Sequence, residues 1–254
     1  IGFSNIGYCS PEMSDDFNIY MDWINNGFSA DMEYLKRSDA LGKRKDPRNI
    51  MGSVQTVLVL AMPYFPPDQL VETKHNPLIA SYAYGKDYHY VIPDQLKKFI
   101  NWLEMELKPF SIEYRIYTDT GPILERSLAV ASGLGWIGKN SCLIIPGKGS
   151  YYFLAEILIN LKFTCDQPYT LDLCGNCHKC IDYCPTGCIL KNRTIDASKC
   201  ISYLTIENRK EIPRNLRGKI ENRVFGCDIC QEVCPWNIRF SIQPTRSFFQ
   251  ISNE

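Results

Sequence analysis

The chain has 254 residues, of which 45% are hydrophobic and 22% charged, and its 28 basic and 28 acidic residues give a formal net charge of zero. This composition is typical of a soluble globular protein, and neutrality argues against a protein that coats nucleic acid non-specifically, because excess positive charge drives such binding. No apolar run of 18 residues and no basic, apolar leader is visible, so we expect a cytoplasmic protein with no membrane segment.

The first two thirds of the chain predict a mixture of helices and strands. Three helices are indicated by apolar residues at helical spacing: 16–27, 94–107 and 123–133. Four strands are predicted by β-rich apolar runs: 56–65, 111–119, 141–146 and 151–160. The turn-forming sequence GKGS joins the last two strands, so we expect them to pair as a hairpin.

A glycine-rich segment follows the third predicted helix. Gly133, Gly135 and Gly138 have the spacing of a dinucleotide-binding fingerprint, but that fingerprint needs a strand before it and a helix after it. Here the order is reversed. We therefore interpret Gly133 as the helix C-cap and the rest as a tight loop into the next strand.

The cysteines are concentrated near the C-terminus and follow two related motifs. The first is Cys-x2-Cys-x2-Cys-x3-Cys-Pro, the run that bacterial ferredoxins use for 4Fe–4S clusters, and the second repeats it with its first cysteine displaced upstream. In such runs the cysteine before proline serves the other cluster. We assign cluster one to Cys174, Cys177, Cys180 and Cys234, and cluster two to Cys184, Cys200, Cys227 and Cys230.

A pair of structural zinc sites is the alternative, because closely spaced cysteines also bind zinc. Zinc sites do not require the Cys-Pro endings or the third cysteine of each run, so we favour iron–sulfur clusters. The remaining cysteines are interpreted as small buried hydrophobic residues: Cys9, Cys142, Cys165 and Cys188.

Composition turns to Cys, Gly and Pro near residues 163–168, where we place a boundary between domains 1–164 and 165–254. A two-cluster module moves single electrons and alone supports only an electron-carrier function. The preceding domain is too large to be a cap, so we expect it to be catalytic and to hold the electron acceptor.

Two groups of polar residues are candidates for catalysis. Asp119 closes the strand at 111–119, where either a turn or capping function or a catalytic one fits the pattern. Asp87 and His89 lie in a tyrosine-rich cluster and are equally open to a structural interpretation. The segment 191–223 is rich in lysine and arginine, which by itself predicts only a solvated surface.

The sequence resembles the epoxyqueuosine reductase family, cobalamin-dependent iron–sulfur enzymes of tRNA modification. The most specific matching motifs are TDTGPILER, GLGWIGKNS, CGNCHKCIDYCPTGCI and SKCISYLTIE, and SYAYGKDYHYVI and GCDICQEVCPWN also match. The matches span nearly the whole chain. Cys142 departs from the family, which is expected to carry another residue at that position.

The resemblance implies an α+β protein with an N-terminal nitroreductase-like α/β domain and a ferredoxin-like domain, with base-off cobalamin bound between them. It implies a general acid at Asp119, with Asp87 and His89 as secondary candidates. Cofactor contacts are expected from eight residues: Arg44, Lys139, Asn140, Leu143, Ser150, Leu154, Ser202 and Asp228.

The implied substrate is epoxyqueuosine at the wobble position of tRNAs with GUN anticodons, flipped into the pocket. An external donor of flavodoxin or ferredoxin type would reduce the clusters, which reduce the cobalamin, and we expect a monomer. The segment 191–223 then becomes a candidate contact surface for the anticodon stem.

Two other classes fit parts of the sequence. A reductive dehalogenase would use the same cofactors on a halogenated small molecule, but such enzymes usually carry a twin-arginine signal, and none is visible. A pure two-cluster electron carrier would leave the N-terminal domain unexplained.

Overall fold

The computed structural model describes residues 2–12, 16–64 and 77–240. Its elements are numbered in chain order. The strands are β1 (Asn5–Cys9), β2 (Thr56–Pro63), β3 (Leu78–Ile79), β4 (Tyr114–Tyr117), β5 (Trp136–Ile137), β6 (Leu143–Ile144), β7 (Tyr152–Ile159) and β8 (Arg223–Phe225). The helices are α1 (Asp16–Asn25), α2 (Ser38–Lys45), α3 (Tyr88–Glu106), α4 (Glu125–Ala131), α5 (Lys179–Asp182), α6 (Ile201–Ile206), α7 (Arg214–Ile220), α8 (Ile229–Glu232) and α9 (Pro235–Phe240).

A four-stranded antiparallel sheet forms the centre of the molecule, in the order β1-β2-β7-β4. All eight residues of β2 are buried, and seven of the eight residues of β7 are. Both strands are therefore covered on both faces, which explains why they read as continuous apolar runs instead of alternating ones. Among the described residues, no helix combines the length and hydropathy needed to cross a membrane.

The two faces of the sheet carry separate hydrophobic cores. On one face α3 packs through Ile92, Leu96 and Ile100, each with no exposed surface. On the other face α4 packs through Leu128 and Ala129. The mixed α and β architecture agrees with the α+β class expected from the sequence.

Most predicted elements are found, with shifted ends. The strands at 56–65 and 151–160 are confirmed as β2 and β7, although residue 65 lies outside the described residues. The strand at 111–119 is shortened to β4, whose four residues pair with β7. The helix at 94–107 begins earlier, at Tyr88, because the Asp87 side chain caps it by accepting from the His89 N–H at 2.9 Å.

The glycine-rich loop also follows the sequence interpretation. α4 ends at Ala131, and Gly133 adopts a φ of +74°, with its N–H donating to the Val130 carbonyl at 3.0 Å. A Cβ at Gly135 would lie 2.0 Å from the Ile144 carbonyl oxygen. Close approach of β6, and not binding of a dinucleotide, therefore accounts for this glycine.

The predicted hairpin of 141–146 with 151–160 is wrong. β6 pairs with β5, whereas β7 pairs with β2 and β4. The chain does turn tightly between Ile145 and Gly149, but the Ser150 N–H then donates to Asn237 Oδ1 at 2.6 Å. This anchor directs the chain away from β6 and into the central sheet.

We expect Gly149→Ala to destabilise the protein strongly. Gly149 has a φ of +86°, and an added Cβ would lie 2.3 Å from Asn237 Oδ1. Gly147→Ala is the matched control, because its φ is +69° but nothing lies within 4 Å of the added Cβ. Left-handed strain alone should lower the free energy of unfolding of Gly147→Ala by about 1–2 kcal/mol. Gly149→Ala adds a steric clash, so its free energy of unfolding should fall by about 2–5 kcal/mol. Urea denaturation measures both, and equal losses would contradict the proposed close approach.

The C-terminal part of the chain is joined to the N-terminal part by many contacts. Trp23 of α1 donates its Nε1–H to the Ile195 carbonyl at 2.7 Å and packs beside the core of α6 and α7. Tyr8 and Asp166 exchange two hydrogen bonds of 2.8 Å, which attach the start of the C-terminal segment to β1. β3 pairs with β8 across the two parts. The boundary at 164/165 therefore lies in a segment held to the central sheet.

Candidate active site and cluster pockets

A cavity of about 240 Å³ lies between the loops that carry the second cysteine motif. Four of its lining residues are the predicted cluster-two set: Cys184, Cys200, Cys227 and Cys230. Cys200 directly precedes α6, and Cys227 and Cys230 flank the start of α8. Cys184 comes from the other motif, so residues distant in sequence converge on one cavity.

A second cavity of about 150 Å³ is lined by the predicted cluster-one set: Cys174, Cys177, Cys180 and Cys234. Trp136 donates its Nε1–H to Cys174 Sγ at 3.4 Å, and Lys139 Nζ donates to the carbonyls of Gly175 and Cys177 at 2.7 and 3.0 Å. The loop before β6 therefore fixes the backbone of the first cysteine motif.

The cysteine sets fit clusters better than single metal ions. Zinc requires thiolates about 2.3 Å from one point, whereas four cysteines around a cavity suit a group of several atoms. In the ranges that the structure describes, no three His, Cys, Asp or Glu side chains are arranged to hold one metal ion. The two four-cysteine cavities can each accept a 4Fe–4S cluster.

Two of the four remaining cysteines lie beside the predicted ligands of cluster two. Cys142 and Cys188 both line the cluster-two cavity, and Cys188 Sγ is 3.5 Å from Cys184 Sγ. Cys9 is buried in the main core, where burial raises the pKa of its thiol to about 12, and Cys165 is exposed. The interpretation as buried residues is therefore confirmed for Cys9 and Cys188, but not for the half-buried Cys142 or the exposed Cys165.

A third and much larger cavity, of about 980 Å³, opens beside the cluster-two cavity. Its wall includes four of the expected cofactor contacts and all three catalytic candidates: Leu143, Ser150, Leu154, Ser202, Asp87, His89 and Asp119. Its size is at the upper end of the range for small-molecule sites. Tyr152 also lines it.

The other expected cofactor contacts lie elsewhere. Lys139 and Asn140 line the cluster-one cavity, and Asn140 and Asp228 line the cluster-two cavity. Arg44 lies over the Tyr20 ring, 5.5 Å from its centroid, and does not line the large cavity. Its Nη1 is buried without a partner among the described residues, so it has a donor to offer to a bound group.

The three cavities form a linear series. Asn140 lines both cluster cavities, and the cluster-two cavity shares four lining residues with the large cavity: Tyr82, Cys142, Ser202 and Gln231. The cluster-one cavity has no lining residue in common with the large cavity. The cluster-two cavity therefore lies between the other two.

Asp119 lies in a strained turn at the edge of the large cavity. Its φ is +59°, a conformation that aspartate tolerates better than most residues. Its Oδ2 accepts from the Tyr88 hydroxyl at 2.9 Å and lies 3.3 Å from His89 Nε2, while His89 Nδ1 lies 2.8 Å from Asp87 Oδ1. The structure thus brings the three catalytic candidates into one hydrogen-bonded chain.

The members of this chain have different environments. The hydrogen bond from the His89 N–H lowers the pKa of Asp87, which suits a helix cap that stays ionised. Burial and the nearby Asp119 carboxylate raise the pKa of Tyr88, whose ring stacks on Phe153 at 4.3 Å. Tyr88 is therefore a neutral donor held in place by packing, a function that the sequence did not single out.

Comparison with known proteins adds two family models. One, described as a 4Fe–4S double cluster binding domain, matches residues 173–237. The other, described as epoxyqueuosine reductase QueG, DUF1730, matches residues 44–120. The curated epoxyqueuosine reductase of Cyclobacterium marinum is 47% identical over 219 residues, which are 86% of this chain and 69% of that protein.

Several solved structures are similar in fold. A selenomethionine-labelled epoxyqueuosine reductase is 28% identical with a TM-score of 0.86, over 98% of this chain and 66% of the other. One solved with an epoxyqueuosine-modified tRNA-Tyr stem loop has a TM-score of 0.84 at 28% identity, over 98% and 68%. A Bacillus subtilis epoxyqueuosine reductase, solved with its catalytic aspartate loop swung out of the active site, also has a TM-score of 0.84 at 28% identity. The match covers 98% of this chain and 66% of the other.

A catabolic reductive dehalogenase solved with 3-bromo-4-hydroxybenzoic acid is 15% identical, with a TM-score of 0.56 over 95% of this chain and 31% of that one. This likeness concerns the fold alone. The present chain spans about two thirds of the length of the reductases that it matches. At 47% identity to a curated relative, the chain belongs to the epoxyqueuosine reductase family.

Proposed function

We propose that this chain reduces epoxyqueuosine to queuosine at the wobble position of tRNA. The observation that carries the proposal is the position of Asp119, at the edge of a cavity of about 980 Å³ that adjoins a four-cysteine cavity. Family membership supplies the substrate class, and the neighbouring cavities supply a route for electrons.

Two 4Fe–4S clusters would occupy the four-cysteine cavities, and cobalamin, bound base-off, would occupy the large one. Cobalamin supplies a low-valent cobalt centre able to reduce the epoxide. Leu143, Ser150, Leu154 and Ser202 would contact it. The N-terminal domain would correspond to the nitroreductase-like domain and the C-terminal part to the ferredoxin-like one.

The reaction consumes two electrons and two protons, breaks two carbon–oxygen bonds of the epoxide, and releases its oxygen as water. An external donor of flavodoxin or ferredoxin type would supply the electrons singly through the clusters. Asp119 would deliver a proton to the departing oxygen, because its carboxyl group faces the cavity. Tyr88 and His89 would orient that carboxyl group, and Asp87 would orient His89.

The tRNA would approach across the segment 191–223. Its residues Ser202, Ile206 and Glu207 line the large cavity, so the segment borders the entrance. Five of its nine basic residues form ion pairs: Arg193, Lys199, Lys210, Arg217 and Arg223. The remaining four are the stronger candidates for phosphate contacts: Lys191, Arg209, Arg214 and Lys219.

The proposal is tested by incubating the reduced, cobalamin-loaded protein with tRNA that contains epoxyqueuosine and analysing the nucleosides by mass spectrometry. We expect conversion to queuosine with loss of one oxygen atom. The same protein without cobalamin is the control and should show no conversion. The contrary result is protein that shows an intact cobalamin spectrum and passes electrons to a redox dye but does not convert the nucleoside. That result would indicate an electron-transfer protein instead of a reductase.

A further inference from the structure

A second carboxyl group stands directly behind the Asp119 turn. Glu125, the first residue of α4, accepts the Asp119 N–H through its Oε1 at 2.6 Å. This bond holds the peptide of a residue whose φ is +59°, a conformation that costs free energy unless the surroundings maintain it. Glu125 also lines the large cavity, so it joins the helix to the candidate acid.

The charges around Glu125 make this contact sensitive to its ionisation. Asp119 faces it from the turn, Glu156 from β7, Tyr88 from α3, and Arg126 from its own helix. Arg126 does not neutralise it by direct pairing, because its guanidinium donates to the carbonyl and hydroxyl of Ser141. An ionised Glu125 therefore lies against the Asp119 carboxylate with no ion-pair partner in the part of the chain that the structure describes.

We propose that Glu125 is a positioning residue that, in its neutral form, holds the Asp119 turn in the cavity and, when ionised, releases it. The neutral carboxyl group still accepts the Asp119 N–H through its carbonyl oxygen. The ionised group accepts this N–H more strongly, but burial and the repulsion between the two carboxylates outweigh that gain. This inference rests on the proposed function of Asp119 as the acid.

The direction of the pH dependence follows from linkage. Burial and the Asp119 charge raise the pKa of Glu125 to about 7 in the closed turn. Opening the turn removes the Asp119 repulsion and admits water, which moves this pKa towards its ordinary value of 4.5. Closing therefore takes up a proton, so the closed turn is favoured at low pH and is lost as the pH rises through about 7.

Glu156 provides a matched control. It is fully buried in β7, and neither of its carboxyl oxygens has a hydrogen-bond partner among the described residues. Burial and the Glu125 charge raise the pKa of Glu156 well above its usual range, so it stays neutral while Glu125 titrates. Glu156→Gln should leave the behaviour of the turn unchanged.

The test is hydrogen exchange of peptides covering 117–124 in the reconstituted holoenzyme, corrected for intrinsic exchange rates. With a pKa of about 7 closed and 4.5 open, protection in the unmodified protein should fall about tenfold from about pH 6 to about pH 8.5. Glu125→Gln should stay protected across this range, and Glu125→Ala should be unprotected throughout. Between these two pH values, the single-turnover rate of Glu125→Gln should also fall less than the rate of the unmodified protein.

The outcomes separate this inference from the proposed function. Protection that does not change with pH in the unmodified protein, or that is lost in Glu125→Gln at every pH, would overturn it. If the pH dependence disappeared in Glu156→Gln, the titrating group would be Glu156, and the proposal for Glu125 would also be overturned. A fully active Asp119→Asn enzyme would instead remove the acid function, while the exchange data would still report on the turn.

Discussion

We expect Asp119→Asn to lower the single-turnover rate of epoxide reduction by about 10²–10⁴-fold, the usual contribution of a general acid, with clusters and cobalamin still bound. The reason is chemical, because the departing epoxide oxygen needs a proton and an amide cannot supply one. The substitution preserves the structure. Asparagine also tolerates the φ of +59°, and its Oδ1 can still accept from the Tyr88 hydroxyl.

Asp94→Asn is the matched control, since it removes the same charge from an exposed position on α3 outside the large cavity. Iron and sulfide content and the corrinoid absorption spectrum should be the same in both variants. If the Asp119→Asn enzyme kept its full rate, the acid would be His89, Asp87 or Tyr88, which complete the hydrogen-bonded chain.

Apolar runs in the sequence predicted the buried strands, but they did not determine which strands pair with each other. β7 is apolar throughout because both faces are covered, and its length and composition identify it from the sequence. Its pairing with β2, about ninety residues earlier, depends on packing across the whole domain and on the Asn237 anchor at Ser150. A turn signal at 147–150 therefore suggested a hairpin that does not form.

The candidate site likewise contains residues that local sequence predicts and residues that only contacts between distant elements reveal. Cysteine spacing predicted both four-residue sets, because the geometry of a cluster constrains spacing within each motif. The contributions of Tyr88 and Glu125 depend on distances between elements, which spacing does not encode. Glu125 belongs to the matching motif TDTGPILER, but the sequence did not assign it a function, because its contact with the Asp119 N–H forms only when the chain turns back at Thr120-Gly121-Pro122.

The second large effect concerns the crossover of the cysteine motifs. We expect Cys234→Ser to abolish cluster one, whose other ligands lie more than fifty residues earlier, and to leave cluster two intact. Cys234 lines the same cavity as Cys174, Cys177 and Cys180, and it does not line the cavity of its motif neighbours Cys227 and Cys230. Iron and sulfide should each fall from about eight to about four per chain.

Cys165→Ser is the control, because Cys165 is exposed and lines neither cluster cavity. Cys184→Ser would test the crossover less cleanly, since Cys188 Sγ lies 3.5 Å from Cys184 Sγ and could replace it as a ligand. Spectroscopic loss of cluster two in Cys234→Ser would contradict the crossover.

Conversion of the nucleoside should also stop in Cys234→Ser when the external donor is the only reductant. Cluster one stands farthest from the large cavity in the series of three, so its loss interrupts the supply of electrons. A small, strong chemical reductant that reaches cluster two directly should restore part of the rate. Because Asp119 would still be in place, this partial rescue distinguishes a broken electron path from a damaged active site.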